Sequence, residues 1–161
     1  MPHEFFDPTG VVRALFAQNQ EDLIAAEQAL QRAQAINPEE TGALLLLGEV
    51  ALLRGDRRLA EERLKAATHT NPKAVGGFFL CGYLAWKRGD ATAARQMLEQ
   101  TCEALGPDWQ PDGATNEGDV KHKQHVEKTP LAAFWQTWDG TLDPAGAYAG
   151  LDSQLGRPKK N

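Results

Sequence analysis

The same residues return at an interval of 34 positions along this chain, and that recurrence restricts the fold more than anything else in it. Asp22, Asp56 and Asp90 form one series, Ala26, Ala60 and Ala94 a second, and Leu30, Leu64 and Leu98 a third. Gly48 and Gly82, Gly55 and Gly89, and Pro38 and Pro72 keep the same spacing. A period of this length belongs to a unit that cannot bury its apolar side alone and stacks on copies of itself to make a continuous core.

The middle unit, residues 41–74, shows what each recurring residue does. Leu44, Leu47, Gly48 and Ala51 fall at the i, i+3, i+4, i+7 spacing of one helical face. Gly48 lacks a side chain, so a second helix can approach there. Gly55-Asp56 reads as a stop followed by a start: glycine accepts the left-handed backbone of a helix end, and the aspartate accepts hydrogen bonds from the next helix's first amides. Ala60, Leu64 and Ala67 make the apolar face of a second helix, which Asn71-Pro72 ends. Glu61, Glu62, Arg63 and Lys65 fall away from that face.

This unit resembles a tetratricopeptide repeat, whose signature is large-x-x-Leu-Gly-x-x-Tyr, then Ala-x-x-x-Phe, then Ala, then Pro; in this chain those places are held by Leu44, Leu47, Gly48, Ala51, Ala60, Leu64, Ala67 and Pro72. The unit from Val75 supplies Phe78, Cys81, Gly82, Ala85, Ala94 and Leu98, then drifts, with Thr101 where Ala is expected and Gly106-Pro107 near the closing Pro. The unit from Asp7 keeps Ala14, Ala17, Ala26, Leu30, Ala33 and Pro38 but departs at Gly10 and Arg13, and Gln20-Glu21-Asp22 stands where the Gly-Asp turn is expected. A degenerate terminal unit suits a repeat that must face water. The resemblance implies an all-α fold, a right-handed superhelix of antiparallel helix hairpins, with units at about residues 7–40, 41–74 and 75–106.

Beyond the repeats the composition changes. Residues 107–118 are dense in turn formers and read as a loop, with Trp109 expected to pin it down. A charged helix is expected from Asp119 to about Lys128. A restart at Thr129-Pro130 puts Leu131, Phe134, Trp135 and Trp138 near one face, and Asp143-Pro144 opens a last helix with Ala147, Tyr148, Leu151 and Leu155 at helical spacing. Residues 119–156 are expected to form a C-terminal helical cap or to fold back onto the repeats, and residues 157–161 a disordered basic tail.

Charge and chemistry narrow the function. A net charge of −5 with no basic cluster outside Arg157–Lys160 argues against nucleic acid or an anionic membrane as partner. The N-terminus lacks the basic and apolar regions of a secretory signal, and the longest apolar run, Ala43–Leu47, is too short to span a membrane. Cys81 and Cys102 lie outside any CxxC pair, which suits two reduced thiols in a cytoplasmic protein. No phosphate loop, nucleophile elbow or HExxH motif is present, and Ser153 is the only serine. His122 and His125 sit at i, i+3 with Asp119 and Glu117 nearby, but three lysines surround them and the expected reading is surface charge. No catalysis, cofactor or metal is expected.

Tetratricopeptide proteins bind through the exposed face of each unit's first helix. Carried onto this chain, that face is Gly42, Leu45, Glu49, Leu52 and Leu53 in the middle unit and Gly76, Phe79, Tyr83, Trp86 and Lys87 in the third. Leu45, Glu49, Leu52, Phe79, Tyr83, Trp86 and Lys87 are therefore the expected partner-binding residues, an aromatic strip bordered by charge. Family members that grip a terminal carboxylate place Lys and Asn where this chain has Leu45, Glu49, Phe79 and Tyr83, so the expected ligand is an apolar or amphipathic segment of another protein. The alternative is a structural or self-associating protein whose strip is filled by its own C-terminal helices or by a second copy of the chain.

Overall fold

The computed structural model describes residues 8–38, 41–108 and 129–156. Among them the chain is all-α: eight helices and no strand. In chain order they are α1 (Pro8–Ala17), α2 (Gln20–Ile36), α3 (Thr41–Leu53), α4 (Arg57–Thr70), α5 (Val75–Lys87), α6 (Ala91–Leu105), α7 (Ala132–Gln136) and α8 (Pro144–Leu155). The expected charged helix at 119–128, Trp109, the histidine pair and the basic tail lie outside the described residues. The chain divides into two compact units, residues 1–77 and 78–161.

In the first unit, α3 and α4 form a hairpin built as the Gly-Asp pair requires. Gly55 takes φ +87°, its amide reaches the Leu52 carbonyl, and the Asp56 amide reaches back to Ala51. This pair of bonds is a Schellman stop. The Asp56 carboxylate then accepts from the Leu59 amide at 3.1 Å and caps α4. A Cβ on Gly48 would lie 2.6 Å from Leu64, so the missing side chain sets how closely the two helices pack. Ala60, Leu64 and Ala67 are fully buried, and the Asn71 amide closes the helix on Ala67.

The α1–α2 turn sits one helical turn earlier than the repeat predicts. Gln18 takes the left-handed backbone at φ 55°, and Asn19, not Asp22, caps α2 by accepting from the Asp22 amide at 2.9 Å. The asparagine also donates to the Asp22 carboxylate at 2.8 Å. With no glycine at position 21, the chain turns where a side chain able to cap is available, and asparagine is among the best N-caps.

Arg63 lies off the Ala60, Leu64 and Ala67 face of α4 and is still largely buried. Its guanidinium, with side chain 13% exposed, lies 2.6 Å from the Glu27 carboxylate and donates to the Leu47 carbonyl at 3.2 Å. Arg54 pairs with the other oxygen of Glu27. One carboxylate on α2 thus ties together the end of α3 and the middle of α4.

In the second unit, Gly89-Asp90 repeats the same device: Gly89 at φ +87°, its amide on Trp86, the Asp90 amide on Ala85, and the Asp90 side chain accepting from Ala93 at 3.0 Å. Gly82 brings α5 against Met97 of α6, and Gly106 at φ +94° ends α6. The helix expected through Trp138 stops at Gln136. The Thr137 hydroxyl and amide both turn back to the Ala133 carbonyl, and the Trp138 indole donates to Thr141 across the Asp139-Gly140 turn. α8 opens with Pro144 in its first turn, as expected, and buries Tyr148 and Leu151. Among the described residues no helix is long and apolar enough to cross a membrane.

Candidate binding face on helix α5

Phe79, Tyr83, Trp86 and Lys87 follow one another at i, i+4, i+7 and i+8, so α5 presents them along one stripe. In the second unit that stripe is occupied by α8. Tyr148 inserts its ring among the aromatics: its centroid is 4.9 Å from Phe79, 5.8 Å from Tyr83 and 6.1 Å from Trp86. The first two contacts are edge-on and the third is stacked at 29°. These are the arrangements that ring quadrupoles favour. Trp138 adds an edge contact on Phe79 at 5.9 Å.

The phenol is placed by two features of α5. Its hydroxyl donates to the Phe79 carbonyl at 2.8 Å. It occupies the space over Gly82, where a Cβ would lie 2.0 Å away. The recurring glycine therefore has two neighbours, Met97 of α6 and Tyr148 of α8. Burial pushes the Tyr148 phenol well above its ordinary value, and the Cys81 thiol beside it adds to the push, so the hydroxyl stays a donor.

One turn along α8, Asp152 completes the contact. A single carboxylate oxygen accepts from the Tyr83 hydroxyl at 2.9 Å and lies 3.0 Å from the Lys87 ammonium. Lys87 also stands 5.8 Å from the centre of the Trp86 ring. The pair is only partly shielded, with side-chain exposures of 25% for Lys87 and 35% for Asp152.

Of the expected site residues, Phe79 and Tyr83 are 0% and 2% exposed, while Trp86 and Lys87 are half-buried. In the first unit Glu49 and Leu52 are buried, and Leu45 is half-buried against the start of α5, within 3.3 Å of a Cβ on Gly77. The rings and Lys87 of the third repeat are thus brought together, around a residue of α8. Sequence reasoning put Tyr148 on an apolar face but passed over Asp152. The signal was there: Tyr148, Leu151 and Asp152 share one face at i, i+3 and i+4, matching the stripe on α5.

Other chemistry is sparse. Cys81 and Cys102 remain thiols, and burial with Glu99 and Glu103 nearby raises the Cys102 pKa, which disfavours its nucleophilic form. Among the described residues no three His, Cys, Asp or Glu side chains gather as metal ligands. A cleft of about 370 Å³ opens at the α3–α4 turn, rimmed by Arg54, Asp56 and Arg57, but Arg54 is committed to Glu27. No protein-family model matches the chain, and a search of curated proteins finds no match either.

Proposed function

We propose that this chain is a non-catalytic, cytoplasmic interaction module of tetratricopeptide-like helical hairpins stacked as a short superhelix, with the recognition face of its third hairpin held closed by its own C-terminal helix. One observation supports the reading: the stripe on α5 is filled by another helix, α8, whose Tyr148 bonds the Phe79 carbonyl and whose Asp152 meets Tyr83 and Lys87. The 34-residue recurrence and the two matching Gly-Asp turns support the repeat architecture. The depth at which Phe79 and Tyr83 are buried favours a second reading, a purely structural role in which α8 is permanent packing.

Capture from the source cell's extract separates the two, using three full-length baits whose helicity has been checked. They are the wild type, a released form carrying Tyr148→Ala and Asp152→Ala, and the released form with Lys87→Glu added. An interaction module gives a protein retained by the released form, weakly by the wild type and not by the Lys87→Glu form. Three identical captures leave only the structural role.

A further inference from the structure

The manner in which α8 sits on α5 specifies a ligand pattern. Gly82 leaves a notch that only a residue reaching inward from outside α5 can fill, and at its floor the Phe79 carbonyl, already bonded within the helix, offers its second lone pair to a hydrogen-bond donor. A phenol uses both features, whereas a phenylalanine leaves that lone pair unused and, lacking the hydroxyl, ends 3.1 Å from where a Cβ on Gly82 would lie. Trp86 and Tyr83 hold the ring from two sides. A leucine three residues on is buried completely, and four residues on Tyr83 and Lys87 present two donors to one carboxylate oxygen. Those three offsets share a face only if the ligand is helical.

Building on the reading above, we propose that this face binds in trans a helical segment of another protein carrying tyrosine, leucine at +3 and aspartate at +4, and that Tyr148, Leu151 and Asp152 are its built-in competitor. Charge complementarity favours such a partner: Lys87 and the Tyr83 hydroxyl select an acidic group, in a position where an amide or a cation leaves the ammonium unanswered. The ion pair is the accessible end of the contact, being partly exposed, and it is where an incoming carboxylate begins the exchange. A ligand competing with a tethered copy of its own pattern binds with an apparent affinity reduced by the fraction of time the face is open.

The test uses the full-length chain and, as probe, a labelled synthetic peptide with the sequence of residues 143–156, titrated by fluorescence anisotropy. The released form, Tyr148→Ala with Asp152→Ala, is expected to bind the peptide at least about ten-fold more tightly than the wild type. Within the peptide, the equivalents of Tyr148→Phe and Asp152→Asn each weaken binding several-fold, and Lys87→Met in the protein removes the preference for aspartate over asparagine. A second opened form, Asp152→Arg, leaves the aromatic core intact and covers the case in which the released form folds poorly.

The inference is overturned if an opened form, folded and with rapid amide exchange over residues 144–155, binds neither the peptide nor a scrambled control. Equal binding of both overturns it too. Slow exchange over those residues in both opened forms, with no gain in peptide binding, overturns it as well, because the pattern then does not hold the helix. The extract capture can fail while peptide binding succeeds, so the interaction-module reading and this ligand pattern are judged separately.

Discussion

The hydroxyl of Tyr148 occupies the place where a side chain on Gly82 would begin, 2.0 Å from an ideal Cβ. A glycine that repeat logic assigns to the packing of two helices thus admits a third. Gly82→Ala is expected to cost about 2 kcal/mol, the usual order for overpacking a filled core. On a Tyr148→Phe background the nearest ring carbon is 3.1 Å away, so the penalty is expected to fall by about 1 kcal/mol. Urea unfolding of the four proteins gives the coupling, and strict additivity would mean that the two residues do not meet.

Tyr148 also sets a pH dependence. Its folded pKa is raised from an ordinary value near 10, so the neutral phenol is favoured in the native state. The stability it contributes is complete below pH 10 and declines above it, where the unfolded chain ionises and the folded one does not. Wild type is expected to lose about 1.4 kcal/mol per pH unit more than Tyr148→Phe above pH 10. Below that pH the variant is weaker by about 1 kcal/mol, the net value of a buried hydrogen bond. Parallel lines in unfolding midpoints from pH 9 to 11 would count against a buried neutral phenol.

The first turn separates what the sequence made legible from what it did not. Where glycine precedes aspartate, at Gly55-Asp56 and Gly89-Asp90, the residues alone specified stop, cap and restart, because few conformations suit that pair. Where glycine is missing, two polar residues competed, and the period pointed to Asp22 while the backbone chose Asn19. Asn19→Ala is therefore expected to cost about 1 kcal/mol, as cap removals do, and Asp22→Ala clearly less. The reverse order would restore the turn to the register of the repeat. At the α5 face, sequence named the stripe, since helical spacing fixes which side chains share a face. It did not name the occupant, since contacts between residues 69 apart, such as Tyr83 with Asp152, leave no local pattern.

Glu27, Arg54 and Arg63 show a similar limit, with one clue left unused: the residues at the repeat interval from Arg63 are Ala29 and Met97, so the arginine interrupts an otherwise apolar or small position. Its guanidinium is nearly buried and answered by Glu27 and the Leu47 carbonyl. Glu27→Leu strands that charge, and the expected loss is about 2–3 kcal/mol, held down because Arg54 at the rim turns back to water. Arg63→Met strands the carboxylate less severely, because Arg54 remains beside it. Combining Glu27→Leu with Arg63→Met removes both buried charges and lets two apolar side chains meet, so the double variant is expected to recover at least about 1 kcal/mol over Glu27→Leu alone. Thermal and urea unfolding of the three variants decide the matter. A double variant no more stable than Glu27→Leu would mean that the pair contributes through its shape and not through its charge.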